Sequence, residues 1–316
     1  MTTWFARRTH RWTDYSPEAL VAAKAGRRVS VVVPAKDEAA TVGDVVRLLR
    51  EQWVERVPLV DEVVVVDSDS VDDTAAAARA AGAVVHAARA IRPDLGGRPG
   101  KGEAIWKSQL VTTGDLLVMV DADLTAWEPG LVPGLLGPLL TDDAVQLVKG
   151  FYDRPLTDPS AAGGPAEGGR VTELVARPLL ALLAPELAGV VQPLAGEWAV
   201  RADHLASLPL PTGYGVEVAV LLDTARVAGV DAIAQVDLGV RAHAHQPLAD
   251  LGAMATQVMA AVHARCPRGP HPSLPTGVTL RQFGRDADGE PQARDRDVLL
   301  DERPPAAGVA AEERAS

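Results

Sequence analysis

Residues 118 to 123 read Val-Met-Val-Asp-Ala-Asp, an apolar strand running straight into two carboxylates one residue apart. Alternate side chains of a strand project to the same side, so Asp121 and Asp123 can face one point just past the strand's end. In an open α/β sheet that edge is where ligands bind. Hard oxygen donors there suit a hard divalent cation, and Mg²⁺ uses one or two carboxylates together with substrate phosphates. The chemistry implied is a metal-bridged diphosphate, and the nucleotide sugars are the commonest substrates of that kind. Asp-x-Asp after a strand also arises by chance as a solvated turn, so the motif carries weight only in company.

The company is two further strand ends. Arg28 to Ala35 (RVSVVVPA) and Glu62 to Asp67 (EVVVVD) are continuous β-branched runs, the pattern of strands buried on both faces. The first leads into Pro34-Ala35-Lys36-Asp37-Glu38 and the second into Asp67-Ser68-Asp69-Ser70. Helical spacing fills Ala40 to Gln52. Ser70-Val71-Asp72-Asp73 has the form of a capping box opening an alanine-rich helix that Gly82 closes, and for Ser70 capping is the favoured reading. A short strand (Ala83 to Ala87), a Pro/Gly-rich loop (Ile91 to Gly100), a helix (Gly102 to Thr112) and the strand Asp115 to Asp121 follow. This alternation predicts parallel βαβ units with strand C-termini along one edge. That edge would gather Pro34 to Glu38, Asp67 to Ser70 and Asp121 to Asp123 into one crevice. No Gly-x-Gly-x-x-Gly follows the first strand, which disfavours a dinucleotide-type Rossmann fold.

Farther on, the spacing predicts a strand over Gln146 to Arg154, a loop over Thr157 to Gly169 and a helix from Arg170. A helix over Val216 to Gly229, a strand over Ala232 to Val240 and a helix over Leu248 to Cys266 come next. From Pro267 the composition turns to Pro, Arg, Asp and Glu, and the last twenty residues read as disordered.

Composition narrows the function classes. A 316-residue chain with 47% hydrophobic and 4% aromatic residues has a large aliphatic core. Its net charge of −11 argues against nucleic-acid and anionic-membrane partners, both of which demand a basic face. One cysteine, Cys266, excludes an internal disulfide and fits a reducing cytoplasm. No secretory signal is visible in Met1 to His10, and no apolar run approaches the ~20 residues that span a bilayer.

Taken together, the three strand-end motifs resemble the nucleotide-sugar half of a GT-A glycosyltransferase. Arg98 to Glu103 (RPGKGE), Gly168 to Pro178 (GGRVTELVARP), Gln192 to Glu197 (QPLAGE), Gly213 to Glu217 (GYGVE) and Gly239 to His243 (GVRAH) resemble the glucosyl-3-phosphoglycerate synthases. Thr3-Trp4 and Glu18 to Arg28 match that family as well. The similarity runs through residues 1 to 266 and fades beyond. It implies an α/β GT-A fold, a Rossmann-like, mostly parallel sheet with flanking helices and an acceptor-binding C-terminal half. It divides the chain into an N-terminal extension (1–27), a nucleotide-sugar subdomain (28–145), an acceptor subdomain (146–266) and a partly disordered tail (267–316). The activity implied is retaining transfer of glucose from UDP-glucose to the 2-hydroxyl of 3-phospho-D-glycerate, by a cytoplasmic homodimer needing Mg²⁺ or Mn²⁺. Mannosyl transfer from GDP-mannose, a polyprenyl-phosphate sugar transferase and a nucleotide-sugar sensor are the alternatives.

Residue by residue, the resemblance makes Asp123 and His243 the metal ligands, and an imidazole admits Mn²⁺ as readily as Mg²⁺. A lone histidine is otherwise more often a surface or core residue, as His245 is read. Pro34, Ala35, Asp37, Glu38, Ser68, Lys101, Asp121 and Ala122 are assigned to the nucleotide sugar. Lys101 sits in a Gly-flanked loop, and apart from the resemblance it is a solvated lysine. Gly168-Gly169-Arg170 at a helix start offers N–H groups and a guanidinium to an anion. Taken alone it reads slightly more as an ordinary helix opening; the resemblance gives Gly169, Arg170 and Thr172 to the acceptor's phosphate and carboxylate. Tyr214, Glu217 and Arg241 complete the acceptor side, and the catalytic set is Glu217, Asp123 and Lys101. Trp106, Trp127 and Trp198 read as packing residues. One departure stands out: Lys36-Asp37 replaces an apolar residue followed by Asn, and Asp lacks the amide donor that meets a uracil carbonyl.

Overall fold

The computed structural model describes residues 3–125, 130–153, 169–240, 248–266, 276–285 and 291–308. Its strands are β1 (Thr9–Arg11), β2 (Val29–Ala35), β3 (Glu62–Asp67), β4 (Val84–Ala87), β5 (Leu116–Met119), β6 (Leu147–Asp153), β7 (Trp198–Arg201), β8 (Leu210–Pro211), β9 (Ile233–Val240), β10 (Gly277–Arg285), β11 (Pro291–Leu299) and β12 (Glu302–Arg303). Eight of them form one sheet in the order β1-β9-β6-β7-β5-β2-β3-β4. All its pairings are parallel except those of β7, which runs antiparallel to both β5 and β6.

The valine runs become central strands because both faces of the sheet are covered. Val31, Val33, Val63, Val65 and Val118 pack under the Val42–Arg50 and Leu131–Thr141 helices. Val32, Leu117, Met119, Leu147 and Trp198 face the Val216–Ala228 and Leu248–Arg265 helices on the other side. Each fully buried valine contributes about 1.5–3 kcal/mol of transfer free energy, so neither face tolerates a slip in register. The order reverses at β2, which has β3 on one side and β5 on the other. That switch point opens a crevice beyond the carboxyl ends of β2 and β5. The strand-end motifs leave the sheet there. Among the described residues no helix is long and apolar enough to cross a membrane.

Most expected elements form within a few residues of their sequence boundaries, and three expectations change. Ser70 is not a helix cap: the helix starts at Thr74, and the Ser70 hydroxyl accepts the Asp37 N–H instead. Lys101 is not in a loop but opens the Lys101–Ser108 helix, with Gly100 as its N-cap. The third concerns the C-terminal stretch expected to be disordered. Residues 297–308 belong to the fold. There β12 pairs with β8, Trp106 Nε1 donates to the Pro304 carbonyl (2.8 Å), and the Thr212 N–H donates to the Asp301 carbonyl (3.1 Å). Arg303 is buried and grips Glu103 with two hydrogen bonds, Nε to Oε2 (2.9 Å) and Nη2 to Oε1 (2.8 Å). It also donates to the carbonyls of Leu95 and Gly96. Composition misses this strap because its charges are answered by partners some 200 positions away.

Candidate active site

Two turns at the crevice are stapled together by their own polar groups. The Ser68 N–H donates to the Ala35 carbonyl, the Glu38 N–H to Thr74 Oγ1 (2.7 Å), and the Val71 N–H to Asp37 Oδ1 (2.8 Å). Asp37 and Asp69 both adopt positive φ, at 57° and 59°. Aspartate is among the few non-glycine residues that visit this region readily. The carboxylate at the departure position thus holds the neighbouring turn, which an asparagine carbonyl would also do. Pro34 and Ser68 are half-buried and Ala35 and Ala122 buried at the strand ends, while Lys36 is exposed.

Negative charge accumulates where β2 and β5 end. Burial, followed by the Asp123 carboxylate and then that of Asp121, pushes the Glu38 carboxyl above its ordinary value. A hard divalent cation would relieve that repulsion, so the oxygen donors present fit one. Among the described residues no three His, Cys, Asp or Glu side chains form a metal cluster by themselves. His243, the other expected ligand, lies outside the described residues, as do Arg241, His245, Trp127 and most of the Thr157 to Gly169 loop.

Lys101 is the hub of the site. Its ammonium donates to Asp121 Oδ1 at 2.6 Å and lies 2.9 Å from Glu217 Oε1. Burial works against this charge, but Asp121 and Glu217 outweigh it and hold the lysine well above its ordinary pKa. Glu217 lies in the first turn of the Val216–Ala228 helix and is 4% exposed. Glycines let the two turns meet: a Cβ on Gly100 would collide with the Thr212 carbonyl and one on Gly102 with the Pro211 carbonyl. Gly100 also sits at φ 125°, a conformation L side chains rarely adopt. A third close approach presses Gly196 onto the Asp121 carboxylate.

The expected acceptor residues lie on separate elements. Tyr214 is exposed, and its N–H donates to Gln257 Oε1. Arg170 is exposed at the opening of the helical segment that continues through Thr172–Ala176, and Thr172 is buried behind it. Trp106 and Trp198 are buried in the core, as a packing role requires. Asp121, Lys101 and Glu217 are therefore brought together, with Glu38 and Asp123 next to them. Sequence reasoning assigned no role to Lys149, whose ammonium donates to the Ala195 carbonyl at 2.7 Å. Its signal was a lysine inside an apolar strand run, Leu147-Val148-Lys149.

The family model described as Glycosyl transferase family 2 matches residues 30–162. The glucosyl-3-phosphoglycerate synthase of Mycolicibacterium paratuberculosis is 49% identical over 308 residues, spanning 96% of this chain and 91% of the relative. The crystal structure of the Mycobacterium tuberculosis glucosyl-3-phosphoglycerate synthase with Mn²⁺, UDP-glucose and phosphoglyceric acid matches with a TM-score of 0.82 at 46% identity, covering 93% of this chain and 95% of that one. The same enzyme with Mg²⁺ and UDP gives 0.84 at 45% identity, over 96% and 99% of the two chains. With identity of this order kept over almost its whole length, the chain belongs to the glucosyl-3-phosphoglycerate synthase family.

Proposed function

We infer that the chain transfers glucose from UDP-glucose to the 2-hydroxyl of 3-phospho-D-glycerate, giving glucosyl-3-phosphoglycerate, with a divalent cation as cofactor. The observation that carries this reading is the Asp121–Lys101–Glu217 group closing on the carboxyl edge of the sheet beside Asp123 and Glu38. Relatives crystallised with Mn²⁺, UDP-glucose and phosphoglyceric acid support the substrate set. Asp123 and His243 would hold the cation, which when bound neutralises charge on the UDP leaving group as a Lewis acid.

Pro34, Ala35, Asp37, Glu38, Ser68 and Ala122 shape the nucleotide-sugar wall. Asp121, fixed by Lys101 and pressed by Gly196, faces the sugar. The Lys101 ammonium adds a preorganised positive field where negative charge develops. Gly169, Arg170, Thr172, Tyr214 and Arg241 take the phosphate and carboxylate of the acceptor. Glu217, ion-paired with Lys101, accepts a hydrogen bond from the attacking 2-hydroxyl and aligns it on the anomeric carbon. In front-face attack the new C–O bond forms as the C–O bond to the diphosphate breaks. The departing phosphate oxygen takes the hydroxyl proton, and the anomeric configuration is retained. A homodimer in the cytoplasm completes the reading, and light scattering of the purified protein checks the dimer.

The test is UDP release from UDP-glucose with and without 3-phosphoglycerate, with GDP-mannose as a parallel donor. Acceptor-dependent UDP release that EDTA abolishes and Mg²⁺ or Mn²⁺ restores is expected. Absence of acceptor-dependent turnover would sink the reading, and preference for GDP-mannose would redirect it. A hexose adduct on Glu217, found by mass spectrometry after incubation without acceptor, would replace alignment by covalent double displacement.

A further inference from the structure

Lys149 occupies a position in β6 where the strand pattern calls for an apolar side chain. Leu147, two residues earlier, belongs to the core beneath the Val216–Ala228 helix, and strand alternation turns Lys149 the same way. The residue is 1% exposed, and lysine is almost never fully buried unless its charge is answered. The ammonium lies 5.8 Å from the ring centroid of its cross-strand neighbour Trp198. Four charged groups face it: Glu217 and Lys101 from the two site helices, Glu197 from the turn before β7, and Asp121 from beyond β5. Burial dominates and draws its pKa down to about 8, with Glu217 the strongest opposing influence.

The backbone geometry says what the lysine holds. Lys149 Nζ donates to the Ala195 carbonyl (2.7 Å), and the next residue's N–H, that of Gly150, donates to the Glu197 carbonyl (2.9 Å). Between those two anchors lies Gly196, the residue pressed onto the Asp121 carboxylate. The Lys101 ammonium is already shared between Asp121 and Glu217, and Lys149 is the second cation that faces both of them and Glu197.

We propose that Lys149 is a positioning residue of the transfer reaction: from beneath the sheet edge it fixes the Ala195–Gly196–Glu197 turn against Asp121 and supplies a second positive charge beside Glu217 that holds that side chain in place. This rests on the glucosyl-transfer reading. Lys149→Met removes charge and donor, whereas Lys149→Gln keeps an amide that can donate to Ala195. Both variants are compared with wild type for kcat, for the KM of each substrate and for the pH profile. Lys149→Met should lose about 10–100-fold in kcat, the range for residues that orient a site without touching substrate. The KM for UDP-glucose should stay unchanged, and Lys149→Gln should recover part of the loss. Wild-type kcat should fall with a midpoint near 8 as the ammonium deprotonates, a limb absent from both variants. Wild-type kcat and pH profile in Lys149→Met would overturn the proposal. If the Met variant does not fold, Lys149→Gln carries the comparison. If neither folds, a wild-type profile without the alkaline limb overturns it. Wild type run in parallel separates the two inferences, because inactive wild type refutes the glucosyl-transfer reading instead.

Discussion

Two buried charge clusters lie on the Lys101–Ser108 helix, and they are built differently. At its first residue, the Lys101 ammonium is shared between Asp121 and Glu217, carboxylates that come from different parts of the chain. Two residues later, Glu103 receives a two-pronged grip from Arg303, with Lys107 3.5 Å away. The arginine fork matches a carboxylate's two oxygens and fixes both groups in one geometry. A lysine is a point charge on a flexible stem, able to serve two carboxylates and a changing ligand. The helix thus carries a saturated clamp that secures it and an unsaturated hub that works.

That contrast is open to breakage. The largest effect should be on the clamp. Arg303→Met leaves Glu103 buried without its main partner, a loss of about 3–5 kcal/mol. Urea denaturation reads it, and adding Glu103→Gln should recover part. Unchanged stability would mean the clamp is ornamental. Next comes the hub, where Lys101→Met should lower kcat by a factor on the order of 10²–10³ while costing less stability than Arg303→Met. A matching collapse of stability would make Lys101 a second clamp and erase the distinction.

A smaller effect belongs to Arg170, exposed at the opening of its helical segment. Arg170→Ala should weaken the acceptor's apparent binding by about 1.5–3 kcal/mol, the worth of a charge-assisted hydrogen bond. The KM for 3-phosphoglycerate rises and that for UDP-glucose does not; equal rises would remove Arg170 from the acceptor side. The smallest lies outside both clusters. Burial holds His204, which bonds Thr224 Oγ1, below its ordinary value of 6.5. The folded state therefore prefers the neutral ring, and its contribution to stability is present above 6.5 and lost as pH falls through the lowered value. The melting temperature should drop over that window, and His204→Gln should flatten the drop. An acid loss unaffected by that change would point to one of the clusters instead.

The first half of the chain was legible because its signals are local. Continuous valine runs announce strands covered on both faces, and each of the three motifs begins where such a run stops. The Asp121-Ala122-Asp123 edge needed no long-range knowledge. Ser70 was misread because a serine ahead of an alanine-rich helix looks the same whether it caps that helix or braces the neighbouring Asp37 turn. Lys101 was placed in a loop because its flanking glycines were read as flexibility, when their function is close approach to the Pro211–Gly213 turn. The clamp was invisible for a deeper reason: Arg303 stands in a Pro- and Glu-rich stretch, and only its distant partner makes it a core residue. Lys149 fell between these cases, since its strand pattern was visible but the four charges around it were not.

The strap also sets a clock on assembly. Two hundred positions separate Glu103 from Arg303, and at about 5–20 residues per second the ribosome needs about 10–40 s to traverse them. For most of that interval the nascent chain already holds the valine strands and the Asp-x-Asp edge, yet Glu103 waits for its guanidinium. Closing so long a loop is also among the slower events of folding. A chain stalled before Arg303 would carry the donor side without the brace behind Lys101. Competence is thus deferred until Arg303 has been made.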